Sequence, residues 1–226
     1  MLFSTFESNA TLFANGATLL ILAGMLANTS LYRMRGRSED RLFFALIITD
    51  IIAAVFGSAT LLFYEYEVAL PSILFTLIFT LFFSVYAVFG VLWCMYLMFR
   101  LGHDEAKVRQ TLPRICIPAA VLVLLYLTGT FTGFMDWDGI NIGFLNIGTV
   151  TVFTFAPVLI YGIITVVMTA GKDKRVCILY GVLVLVNGFF LMAMDIDITP
   201  MILSIYLIYA HLFAMRDPFY GEVSSL

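Results

Sequence analysis

Asp50 is the one acidic residue set deep within an apolar stretch of this sequence. A carboxylate in that setting must face other helices, find a partner or keep its proton, because an isolated charge taken out of water is costly. Three, four, seven and eight positions further on stand Ala53, Ala54, Gly57 and Ser58. On a helix these small side chains share a face with Asp50 and let a neighbouring helix come close. Asn28, Asn187 and Ser204 are the polar residues expected at similar depth on other segments, and His211 shares a helix face with Ser204. Together they form a candidate buried polar network. It reads either as a switch or ion site coupling helix positions, or as a hydrogen-bond cluster that only fixes packing.

A second group of residues is acidic and lies between the apolar stretches: Glu65, Glu67, Asp136, Asp138, Asp195 and Asp197, with Trp137 and Asn141 among them. An acidic mouth containing an aromatic ring could attract a cationic ligand. The alternative is a solvated rim.

Other chemistry is excluded by residue type and spacing. Cys94, Cys116 and Cys177 are too far apart for a CxxC site and read as reduced, packed thiols. His103 and His211 are the only histidines, and neither has a second ligand at metal-binding spacing. No metal and no cofactor is expected. The sequence has no HExxH zinc helix, no GxSxG elbow and no P-loop. Two histidines cannot supply the three-histidine site of adiponectin-receptor-type hydrolases. The last apolar stretch has no lysine for a retinal Schiff base of the microbial-rhodopsin kind. The chain is therefore expected not to be an enzyme. Asn9-Ala10-Thr11 fits a glycosylation sequon.

The elements that must position these residues are membrane helices. Of 226 residues, 62% are hydrophobic and 12% charged, and the mean hydropathy is +1.02. A soluble domain carries about 25% charged residues. This much apolar surface calls for a lipid bilayer as the solvent, and nothing points to nucleic acid. Apolar stretches run at about 10–32, 42–64, 70–99, 115–134, 145–170, 176–194 and 198–215. A span needs about 20 such residues. Pro71 and Pro200 fit first helical turns, and Thr199 is a candidate cap for the last helix. Pro113 and Pro118 bracket the start of the fourth helix, and Pro157 should kink the fifth. The third stretch is long enough to tilt.

Charge sets the direction. Arg33, Arg35, Arg37 and Arg41 lie between stretches one and two. Arg100, Lys107, Arg109 and Arg114 lie between three and four, and Lys172, Lys174 and Arg175 between five and six. Arg216 follows the seventh, which completes all 12 basic residues. Seven spans put every one on a single side, and an even number would scatter them. Loops rich in Lys and Arg stay in the cytoplasm. The expectation is an all-α bundle of seven transmembrane helices, N-terminus out and C-terminus in, forming one multi-pass domain over 1–226 in the plasma (inner) membrane. The short loops hold no inserted domain, and about ten residues after the last helix are too few for a further one.

Three stretches carry a family resemblance. Residues 37–50 (RSEDRLFFALIITD) resemble the charged-then-apolar start of the second helix in seven-helix sensory modules of Firmicute-type bacteria. Residues 91–100 (VLWCMYLMFR) are similar to the end of their third helix. Residues 195–200 (DIDITP) with 205–209 (IYLIY) resemble their last loop and helix. Such modules precede diguanylate cyclase or histidine kinase domains, which this chain is expected to lack. The resemblance implies a membrane sensor or receptor-like module that passes a signal to a cytoplasmic protein by helix rearrangement. It defines no ligand. The alternative is a small-substrate or ion transporter or channel, although no proline–glutamine pair and no matched helix breaks support one. The chain has neither a D/E-R-Y triplet after the third helix nor an N-P-x-x-Y in the seventh.

Overall fold

The computed structural model describes residues 2–31, 38–65, 72–132, 140–142, 145–147, 149–169, 174–194 and 196–215. Seven helices take up most of them: α1 (Leu2–Leu31), α2 (Ser38–Glu65), α3 (Ser72–Arg100), α4 (Glu105–Thr132), α5 (Thr149–Thr169), α6 (Lys174–Met194) and α7 (Thr199–Met215). Within α1 to α4, the stretches Glu7–Ala27, Ser38–Leu62, Thr80–Arg100 and Glu105–Thr128 are long and apolar enough to cross a membrane. The apolar stretches of α5, α6 and α7 are shorter.

Two boundaries differ from the hydropathy reading. α4 begins at Glu105, about ten residues ahead of its apolar part. The Asp104 carboxylate accepts a hydrogen bond from the Lys107 N–H at 3.0 Å, so the charged segment is capped and helical. Pro113 and Pro118 accordingly stand inside α4 and do not bracket its start. At the other boundary, residues 145–147 are not the first turn of α5. They form β2 (Leu145–Ile147), paired antiparallel with β1 (Ile140–Ile142), with Asn141 opposite Asn146. The triplets Ile-Asn-Ile and Leu-Asn-Ile alternate with period two and are separated by two residues, which favours a hairpin over a helix.

The packing directions follow from side-chain pairs. Phe43 meets Tyr96, and a Cβ on Gly57 would touch the Phe82 ring, so α2 and α3 are antiparallel. Glu39 and Arg100 close one end of that pair with an ion pair at 3.2 Å. Trp93 meets Tyr206 and Tyr86 meets Asp197, so α7 runs parallel to α3. A Cβ on Gly90 would lie 2.1 Å from the Tyr161 ring, and one on Gly162 would lie 2.6 Å from Tyr180. Two glycines thus seat two tyrosines and draw α3, α5 and α6 together. The Tyr161 hydroxyl donates to the Ile115 carbonyl at 2.9 Å and ties α5 to α4.

The main core draws on all seven helices and is rich in aromatic side chains, among them Phe43, Phe83, Trp93, Tyr126, Tyr180 and Tyr206. A smaller cluster of Cys94, Met98, Val108, Ile115 and Tyr161 fills the space between α3, α4 and α5. The outside is apolar as well: Phe13, Leu20, Val167 and Leu185 are 73–80% exposed. Large apolar side chains on the rim of several helices are unfavourable in water and suit a hydrocarbon surround.

Candidate functional site

α1 presents Thr11, Asn15 and Thr18 at four- and three-residue spacing, and all three are buried. That spacing puts them on one helix face. α2 presents Asp50, Ala53, Ala54 and Gly57 on its buried face. The small-residue stripe does what its spacing predicts: Gly57 leaves room for Asn15, whose Nδ2 lies 3.3 Å from where a Cβ would stand. Ser58 is only partly buried and spends its hydroxyl on the Ala54 carbonyl.

Asp50 is fully buried, and neither of its carboxylate oxygens has a hydrogen-bond partner among the described residues. The register that sets Phe43 against Tyr96 and Gly57 near Phe82 places Phe89 at the level of Asp50. Tyr86 is then one turn away in one direction along α3, and Trp93 one turn away in the other. Tyr86 lies within electrostatic reach of both Asp50 and Asp197.

Asp197 is the centre of a hydrogen-bonded node before α7. Its Oδ2 accepts from the Tyr86 hydroxyl at 3.4 Å, and its Oδ1 accepts from the Thr199 N–H at 2.9 Å. Its own N–H donates to Thr11 Oγ1 at 3.2 Å. The first turn of α7 is therefore capped by Asp197 and not by the Thr199 hydroxyl. That hydroxyl instead pairs reciprocally with Asn187, at 3.1 Å to Nδ2 and 3.3 Å to Oδ1. One half-buried aspartate and one buried amide thus join α1, α3, α6 and α7. Burial pushes the Asp197 carboxyl above its ordinary value, while the hydrogen bonds from Thr199 and Tyr86 pull it down.

The expected network divides. Asn187 is buried but bonds Thr199, and the Ser204 hydroxyl donates to the Met201 carbonyl of its own helix. The structure makes no hydrogen bond from either to Asp50. Asn28 and His211 stand on α1 and α7, with side chains outside the described residues. Of the acidic group, Asp197 is described in full. Glu65 ends α2, with its side chain outside the described residues. Glu67, Asp136, Trp137, Asp138 and Asp195 lie outside them entirely. Cys94 and Cys116 are free thiols.

Three participants were not picked out from sequence. Thr11 and Asn15 did leave a signal, a polar pair one turn apart in an apolar helix. Tyr86 left none, since a tyrosine in an aromatic-rich segment reads as core.

Comparison with protein families, with curated proteins and with solved structures finds no match for this chain.

Proposed function

We propose that all seven helices cross the bilayer and that the bundle is a membrane sensor or receptor-like module. The segregation of basic and acidic residues supports seven spans, with the Arg100 end in the cytoplasm and the Asp197 end outside. α5 and α6 have 21 residues each and α7 has 17, close to the roughly 20 that the hydrocarbon requires. A plasma-membrane, multi-pass placement follows from this reading.

The observation that carries the sensing role is the node at Asp197. It holds the start of α7 to α1, α3 and α6 through side chains, at the end of the bundle where an external signal would arrive. A stimulus that altered those bonds would reset α7 against its neighbours, and the basic end would present a changed surface to a cytoplasmic signalling protein. The coupling residues in this reading are Asp50, Asn187 and Asp197, with Asn28 on α1 and Ser204 and His211 on α7. A signal can bias such an equilibrium only through interactions that differ between two states.

The unpartnered Asp50 favours a second reading, ion-coupled transport, because ionisable groups inside membranes commonly mark ion pathways. Reconstituted protein separates the two. A sensor changes the distance between spin labels on α3 and α7 under a stimulus and carries no net flux. Net substrate or ion uptake into vesicles would overturn the sensor reading.

A further inference from the structure

We propose that Asp50 is a proton-binding site that exchanges protons with the Asp197 end of the bundle through Tyr86. The side chains around it decide the ligand. On its own helix the buried neighbours are Leu46, Ile47, Ala53 and Ala54. The registers of α1, α3 and α7 bring Leu22, Phe89 and Ile202 to its level, and Leu22 and Ile202 bury essentially completely. Calcium and magnesium take six or more oxygen ligands, and the described side chains at this level offer only the two carboxylate oxygens and the Thr18 hydroxyl, which donates to the Ala14 carbonyl. A proton needs only one of those oxygens. Among the described residues this fully buried carboxyl has no hydrogen-bond donor and no countercharge, and such a group is kept neutral by binding a proton.

The facing ionisable groups are few among the described residues. α1 turns Thr18 and Leu22 toward this level and has no ionisable side chain there. α3 contributes Tyr86 on the Asp197 side and Tyr96 toward the Arg100 end. α7 contributes Tyr206, packed on Trp93 and likewise toward the Arg100 end. Tyr86 on α3 donates to Asp197, and the half-buried Glu7 stands on α1 one turn from Thr11.

Among the described residues, Tyr86 stands between the two carboxyls, one turn along α3 from the level of Asp50 and hydrogen-bonded to Asp197. Its hydroxyl already donates to Asp197 Oδ2. In release, the O–H bond of neutral Asp50 breaks and its proton bonds to the Tyr86 oxygen. The phenol O–H breaks in the same event and its proton bonds to Asp197 Oδ2. Asp50 is left as the carboxylate, Tyr86 is again a neutral phenol, and Asp197 is the acid that passes its proton to water. Loading runs the same steps backwards. Asp50 makes no hydrogen bond to Tyr86 in this structure, so its side chain must turn toward the phenol before transfer. That turn makes exchange conditional on helix position. The stimulus under the sensor reading is then proton activity at the Asp197 end, and only this consequence rests on that reading.

Infrared spectroscopy of the full chain in nanodiscs tests the site without any signalling readout. The expected result is a carboxylic C=O band at neutral pH that is lost in Asp50→Asn, shifted in Asp50→Glu and unmoved by sodium. Its deuterium exchange slows in Tyr86→Phe. Three results would overturn the proposal: no such band in the wild type, a band that sodium abolishes, or exchange unchanged in Tyr86→Phe. Each leaves the sensor reading standing, because spin-label distances between α3 and α7 test that separately. Asp50→Glu keeps the test decisive should Asp50→Asn fail to fold.

Discussion

The Tyr86 hydroxyl donates to Asp197 Oδ2 across 3.4 Å, joining the middle of α3 to the segment that starts α7. The same carboxylate caps α7 through Thr199. One side chain thus sets both where α7 begins and how it sits on α3.

Asp197 should give stability a pH dependence of unusual sign for a carboxylate. Its folded value is raised above 3.8 by burial, so the folded state holds the proton more tightly than the unfolded chain. That contribution is full below the unfolded value and is lost as pH rises through the higher folded value. Thermal unfolding of the wild type should weaken over that window, and Asp197→Asn should flatten the slope. An unchanged slope in the variant would remove Asp197 as its source.

Gly90→Ala should destabilise by about 1–3 kcal/mol, the usual cost of overpacking, because its Cβ would fall 2.1 Å from the Tyr161 ring. Gly181→Ala, where a Cβ meets nothing within 4 Å inside α6, is the control and should be neutral or stabilising by up to about 1 kcal/mol. Equal midpoints for the two variants in detergent unfolding would contradict the seat assigned to Tyr161.

Asn187 and Thr199 exchange two hydrogen bonds in a buried site. A double-mutant cycle with Asn187→Leu and Thr199→Val should return a coupling near 0.6 kcal/mol, the average for such bonds within a membrane. Zero coupling would mean that the pair does not hold α6 to α7.

Asp50→Val should be neutral or stabilising, by up to about 1–3 kcal/mol, since it removes a buried polar group without a partner. The sensing response should be lost at the same time. Strong destabilisation would reveal a hydrogen bond that the structure does not contain.

The ion pair of Glu39 and Arg100 keeps each side chain about 20% exposed. It should contribute about 1 kcal/mol or less and weaken with salt. Arg109 and Glu105 are far more exposed, at 77% and 59%, and should contribute nothing measurable. Unfolding midpoints of Glu39→Gln and Glu105→Gln at low and high salt check this ranking.

Helix number and order were legible in the sequence because charged residues punctuate apolar runs of bilayer length. The buried face of α2 was legible too, since Ala53, Ala54 and Gly57 repeat at helical spacing from Asp50. The capped extension of α4 was hidden because hydropathy sees only its apolar half, although Asp104 three residues before Lys107 is a capping signal. Strand β2 was hidden at the start of the apolar run at 145–170, where period two is easily lost. The seats at Gly90 and Gly162 depend on which tyrosine arrives from another helix, and no local pattern encodes that. The Asp197 node was invisible for the same reason: Thr11 and Asp197 meet across 186 positions.

The sensor reading requires the Arg100 end and the Asp197 end to face opposite aqueous compartments. In a background with Cys94, Cys116 and Cys177 replaced, single cysteines at Arg35 and Asp136 can be probed with a membrane-impermeant maleimide in intact cells. Labelling is expected at position 136 alone, with position 35 reacting only after the membrane is opened. Labelling of both positions in intact cells, or of neither, would contradict that reading.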